Sequence, residues 1–167
     1  MQIKLIELTL GEPEDIFNMV KEIGPGEENG FVNSLYNDRF EEFHHTLQRN
    51  IEFSKGLGLE PQYVPQTIYW LYINDRPVGY GKLRHRLNEK LLEYGGHIGY
   101  TIRPSERNKG YGKLILEELL VKAKELNIDE VLVTCDQNNT SSRKVIEANN
   151  GKLADCNNGE CRYWIYI

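Results

Sequence analysis

Residues Gly95 to Leu116 read GGHIGYTIRPSERNKGYGKLIL. The run HIGYTIR has the character of a strand, and Pro104 ends it because proline brings no amide donor to a ladder. From about Gly110 to Asn127 the periodicity predicts a helix with Ile115, Leu116, Leu119, Leu120 and Ala123 turned inward. Between strand and helix lies Arg107-x-x-Gly110-x-Gly112. The first amides of a helix have no internal partner and sit at the positive end of its dipole, so together they can donate to phosphate oxygens. Glycines let an anion come close to the backbone, and Arg107, Lys109 and Lys113 add positive charge. The turn is therefore a candidate pyrophosphate cradle. It is neither a Walker loop, lacking the four-residue spacer and the Gly-Lys-Ser/Thr ending, nor GxGxxG, because position 115 is Ile.

Upstream, QIKLIEL alternates as a first strand, and EPEDIFNMVKEI reads as a helix with Pro13 near its start. GPGEENGF, Gly24 to Phe31, is a loop. From Asn33 to about Ser54 the apolar positions Leu35, Tyr36, Phe40, Phe43, Leu47 and Ile51 recur at helical spacing, and GLGLEPQYVP breaks the pattern. TIYWLYI and PVGYGKLRHRL form a hairpin turning at Asn74-Asp75, in which Tyr69, Trp70 and Tyr72 read first as core. Downstream, EVLVTCD is a short buried strand. A capped helix from about Ser141 to Asn149 stops at Asn150-Gly151, and KLADC with CRYWIYI closes the chain as a second hairpin. Lys113 with Glu117 and Glu118 with Lys122 are spaced for ion pairs on the outer face of the 110–127 helix. The order describes an α/β (α+β mixed) fold containing a strand-helix-strand crossover, in one domain spanning 1–167.

Composition narrows the function. Hydrophobic residues at 40% and charged residues at 27% are ordinary for a globular chain. A net charge of -5 argues against a nucleic-acid partner and is compatible with a cationic substrate. No stretch approaches the roughly 20 apolar residues of a membrane span, and no secretory signal opens the chain, so no membrane partner and a cytoplasmic location are expected. Against the acidic total, Arg103, Arg107, Lys109 and Lys113 crowd one segment, which marks a local anion site. Cys135, Cys156 and Cys161 form no CxxC and have no paired histidine, so no metal and reduced thiols are expected.

The segment 95–116 resembles motif A of the GNAT superfamily of N-acetyltransferases, Arg/Gln-x-x-Gly-x-Gly/Ala between strand and helix. CDQNNTSSRKVIEANNGKL resembles the superfamily's second cofactor motif, with Asn139 and Ser142 in place. The whole run from VGYGKLRHRLN to RYWIYI looks like a bacterial subgroup of predicted acetyltransferases. The resemblance implies a central mixed sheet of about six or seven strands flanked by about four helices, splayed between the strands at 97–103 and 130–135. It implies acetyl-CoA in the splay, a small-molecule or peptide amine as acceptor, and a homodimer as a common assembly. Thr101, Ile102 and Arg103 are expected to meet the pantetheine arm through their backbones, as an added strand would. The turn Arg107, Asn108, Lys109, Gly110, Tyr111, Gly112 and Lys113 would hold the pyrophosphate, and Asn139 and Ser142 would complete the cofactor site.

Transfer to an amine needs a base, because an ammonium cannot attack. His97 stands where relatives with an EIGY run carry a glutamate proposed as base, with Glu93 and His85 as fallbacks; a strand histidine satisfied by hydrogen bonds is the competing reading. The superfamily's thiolate-protonating tyrosine is replaced by Ile146, and Ser142 matches a serine proposed as donor in one branch. A helix-start serine bonded to the backbone is the alternative there. A main-chain N–H near Ile102 is the expected oxyanion donor. Glu27 and Glu28 are candidates to face a cationic acceptor. The alternative function is a CoA-binding sensor domain without turnover.

Overall fold

The computed structural model describes residues 1–26 and 31–167. Among the described residues, seven strands and five helices follow the expected order with one addition, the short helix α3: β1 (Ile3–Glu7), α1 (Glu14–Ile23), α2 (Phe40–Ser54), β2 (Gln66–Ile73), β3 (Arg76–Arg84), α3 (Glu89–Glu93), β4 (Ile98–Ile102), α4 (Tyr111–Glu125), β5 (Glu130–Asp136), α5 (Thr140–Ala148), β6 (Lys152–Asn157) and β7 (Glu160–Tyr166). A 3-10 turn over Pro104–Glu106 joins β4 to the loop before α4.

The strands form two antiparallel sheets, β1-β2-β3-β4 and β5-β7-β6, which divide between β4 and β5, the strands expected to splay. Both hairpin turns expected from sequence form. Asn74 and Asp75 have φ of 49° and 64°, the left-handed pair that matches strand twist in a two-residue turn. One apolar cluster packs α4 and α5 against the strands through Ile115, Leu116, Leu119 and Ile146. A second packs α1 and α2 against the other side through Ile16, Phe17, Phe43, Trp70 and Tyr80. Trp70 is fully buried and Tyr69 nearly so, as their reading as core requires.

Three expectations change. Residues 33–39 are not helical, and α2 begins at Phe40. Asn33 is withdrawn into the core, where its amide donates to the carbonyls of Val20 and Gly24 and accepts from the Tyr80 hydroxyl at 2.6 Å. The expected ion pairs on α4 are replaced by Lys122 with Glu125 at 3.2 Å. Cys156 and Cys161, directly opposed across the β6–β7 hairpin, are disulfide-bonded rather than reduced, while Cys135 is free and buried.

Candidate functional site

β4 and β5 touch at one end only. An isolated bridge joins Gly96 to Val133, and the N–H of His97 donates to the carbonyl of Leu132 at 2.8 Å. Gly96 makes this meeting possible: its φ is +62°, and a Cβ there would fall 2.4 Å from the Leu132 oxygen. Beyond this contact the strands part.

The β3–β4 register and the flanking bond from Arg103 N–H to Val78 O turn the main-chain groups of Gly99, Thr101 and Arg103 toward β3. Those of Tyr100 and Ile102 therefore face the gap. On β5, Gln137 N–H donates to Gly159, so Thr134 likewise presents its main chain to the gap. Buried main-chain polar groups without partners are rare, which makes an open seam of this kind a place for an amide-bearing chain to lie.

At the far end of β4 the chain turns through Asn108 at φ 61° and Gly110 at φ 84° into α4. A Cβ on Gly110 would meet no protein atom within 4 Å, so the glycine serves the backbone turn and faces open space. Among the described residues, no carbonyl accepts from the N–H of Asn108, Lys109 or Gly110, and the first bond into α4 runs from Leu114 N–H to Gly110 O. A run of unpaired donors thus converges at the helix head. Gly112 has a second task, because a Cβ there would lie 3.4 Å from Val145 on α5.

The structure divides the four crowded cations. Arg103 is buried, with Nη2 donating to Glu22 at 2.9 Å and Nη1 to Pro77 O at 3.0 Å. Its side chain belongs to the scaffold, which corrects its place in the anion site. Burial pushes the Glu22 carboxyl up, but Arg103 and hydrogen bonds from Ser105 outweigh it and hold it down at about 2. Lys109 is likewise taken, by Glu106 at 2.8 Å. Arg107 and Lys113 remain to line a cavity of about 310 Å³ with Thr101, Ile102, Asn108, Gly110, Tyr111 and Gly112. Arg107 donates Nε to the Ile102 carbonyl at 2.9 Å, so its guanidinium lies at the end of the seam.

A second cavity, of about 200 Å³, opens beyond the seam, and the two share Phe31, Tyr100, Asn139 and Ser142. Asn139 caps α5, its side chain accepting from Ser142 N–H at 3.1 Å. The cap uses the serine's amide, and among the described residues no backbone group receives its hydroxyl. Burial raises the Tyr100 phenol far above its usual range, with the Ser142 hydroxyl beside it pulling the other way. Ile146, at the position of the missing tyrosine, is fully buried.

His97 is not brought to either cavity. Its Nδ1 accepts the N–H of Leu132 at 2.9 Å, and burial first, then Arg84, lowers its titration to about 4. The lone pair a base would use is occupied, so the satisfied-histidine reading describes it and the assignment as base is corrected. His85, bonded to Thr67 at 2.7 Å, and Glu93, on α3, line neither cavity. Glu27 and Glu28 lie outside the described residues.

The second cavity also holds residues that sequence reasoning passed over: Lys82, Arg84, Asp136 and Glu160. Strand alternation in YGKLR, which puts Lys82 and Arg84 on the face of buried Tyr80, is the signal that could have found the cations. Burial raises the Glu160 carboxyl, outweighing a hydrogen bond with the Thr134 side chain that lowers it, and nearby Asp136 adds to the rise.

The family model described as "Acetyltransferase (GNAT) family" matches residues 31–151. No curated protein matches the sequence. Among solved structures, the ribosomal L7/L12 α-N-protein acetyltransferase RimL with coenzyme A superposes with a TM-score of 0.74 at 18% identity, covering 100% of this chain and 95% of that one. The PaiA N-acetyltransferase of Thermoplasma acidophilum with coenzyme A gives 0.65 at 15% identity, with 100% of both chains covered. Campylobacter jejuni PseH with acetyl coenzyme A gives 0.65 at 13% identity, with 99% of both covered. These likenesses show the fold.

Proposed function

The chain belongs to the acetyltransferase (GNAT) family, and we propose on that premise that it transfers the acetyl group of acetyl-CoA to the amine of a small-molecule or peptide acceptor. The observation that carries the reading is the continuity of the open seam, from the unpaired amides at the head of α4, past Tyr100 and Ile102, to a second cavity. The RimL, PaiA and PseH structures carry coenzyme A or its acetyl form on the same fold, which supports the choice of cofactor.

The residues present fit it. Backbone donors of 108–113, with Arg107 and Lys113, would hold the pyrophosphate; main-chain groups of Tyr100, Ile102 and Thr134 and the Asn139 amide would hold the pantetheine arm. Acetyl-CoA, when bound, supplies a thioester that an amine can attack. The N–H of Ile102, unpaired on the gap side of β4, is the oxyanion donor in this reading. Glu160 takes the proton from the amine, since its carboxyl lines the acceptor cavity and burial raises it. The Ser142 hydroxyl, not spent on the cap, returns a proton to the departing thiolate.

Ile146 favours a second reading, a CoA-binding domain without turnover, because it has no proton to give. Incubating the protein with acetyl-CoA and a broad amine panel separates the two. Amine-dependent release of CoA supports transfer, and tight CoA binding with no release from any amine supports the second reading.

A further inference from the structure

The acceptor cavity carries two cations, without ion-pair partners among the described residues, that the transfer reaction itself does not use. Lys82 and Arg84 stand two residues apart on β3, on the face of buried Tyr80, and both line the cavity. The Lys82 ammonium lies 4.7 Å from the centre of the Phe31 ring, which covers it from the loop before α2. Its chain is threaded over a glycine: a Cβ on Gly99 would fall 3.1 Å from Lys82 Cε. Arg84 donates Nη1 to the carbonyls of Gly95 and Gly96 at 3.2 and 3.1 Å, contacts that orient the guanidinium without neutralising it.

Neither cation has an ion-pair partner among the described residues, although eight such pairs form elsewhere. Arg103, the buried cation of the scaffold, has its carboxylate in Glu22. The cavity's own carboxylates do not pair with Lys82 or Arg84: Asp136 is engaged by Asn138 N–H at 2.8 Å, and Glu160, on β7, makes no ion pair among the described residues. Two like charges held close in a poorly hydrated place repel, and a buried charge is normally paired. The strain is visible at Lys82, where burial, and then Arg84, lowers the ammonium to about 8.

We propose that Lys82 and Arg84 form the anion subsite of the acceptor cavity, so that the acceptor carries a carboxylate or phosphate alongside its amine. The cavity then has two poles: cations on β3 for the acceptor's acid group and Glu160 on β7 for its amine. This reverses the cationic acceptor suggested by the overall charge of -5, because the sign of the whole surface does not fix the sign inside one cavity. The inference rests on the acetyltransferase reading for the name "acceptor", but the subsite can be tested without turnover.

The test is calorimetric titration of the CoA-loaded protein with three acetylated amines: N-acetylglycine, its neutral carboxamide N-acetylglycinamide, and N-acetyl-O-phosphoethanolamine. At least one anion is expected to bind about tenfold or more tightly than the carboxamide, the scale of a charge-assisted hydrogen bond, and the tighter of the two names the acid group. Lys82→Met, which keeps the side chain's length and apolar stem, is expected to abolish that preference while leaving CoA affinity unchanged; Lys82→Arg is expected to retain it. Equal affinity for anion and carboxamide, no binding of either anion, or a preference that survives Lys82→Met overturns the proposal. Anion preference in a protein that releases no CoA with any amine sinks the transfer reading and leaves the subsite standing.

Discussion

The main-chain N–H of Leu132 donates to Nδ1 of His97 at 2.9 Å, while the N–H of His97 donates to the carbonyl of Leu132 at 2.8 Å. This reciprocal pair ties β4 to β5 at the point from which they diverge, and it sets where the seam begins. A histidine in this role is a structural acceptor, and His97→Asn, whose Oδ1 can take the place of Nδ1, is expected to keep fold and kcat. Loss of kcat by about 100-fold in a folded His97→Asn protein would restore the histidine as base.

The same pair has a pH signature. Folded His97 titrates at about 4, below its ordinary 6.5, so the folded state binds fewer protons between those values. Its contribution to stability is complete above pH 6.5 and is lost as pH falls toward 4. Thermal melts across that window are expected to fall more steeply for the natural protein than for His97→Asn.

Glu160→Gln is expected to lower kcat by about 100-fold, within the usual range for a general base, with CoA affinity unchanged. Because the carboxylate is the active form and burial raises its titration, the acid limb of activity should lie higher in pH than an exposed glutamate would place it. A pH–rate profile measures this, and an unaltered acid limb in Glu160→Gln would remove it from the mechanism.

Among the basic residues of the turn, charge reversal sorts ligand from scaffold. Arg107→Glu and Lys113→Glu are each expected to weaken CoA binding about tenfold, an effect that shrinks with added salt. Lys109→Glu should do much less, since Glu106 already occupies that ammonium. Arg103→Met should instead cost stability, about 2 kcal/mol, by stripping Glu22 of its charged partner.

Ser142→Ala leaves the Asn139 cap intact, because the cap bonds to the amide of position 142. Lowered kcat with unchanged CoA affinity and melting temperature is expected if the hydroxyl protonates the thiolate; unchanged kcat assigns that proton to solvent.

The turn, α4, the two hairpin turns and the α5 cap were legible in sequence because each is fixed by residues close in the chain. Pro104, Gly110, the Asn74-Asp75 pair and Asn139 act within a few positions of themselves. What sequence concealed was settled by distant partners. Leu35 and Tyr36 fit the helical period of α2, but Asn33 bonds to Tyr80, 47 residues away, and holds that segment out of the helix. Arg103 looked like its basic neighbours until Glu22, 81 residues away, claimed it. His97 looked like a base until Leu132 took its lone pair. The second cavity was hidden for the same reason, since Lys82, Glu160 and Phe31 converge only when β3, β7 and the loop before α2 are assembled. The short α3 had a local signal that was passed over, Asn88 accepting from Leu91 N–H at 2.9 Å as its cap.

The central claim is that unpaired main-chain donors along β4 and at the head of α4 grip the cofactor, and backbone amide spectra of the labelled protein with and without CoA test it most directly. The account predicts shifts and slowed hydrogen exchange at Tyr100, Ile102 and residues 108–113, with Gly99 and Thr101, already bonded to β3, little changed. Saturating CoA that leaves those amides unaltered, or alters them no more than the strand interiors of β6 and β7, would contradict it.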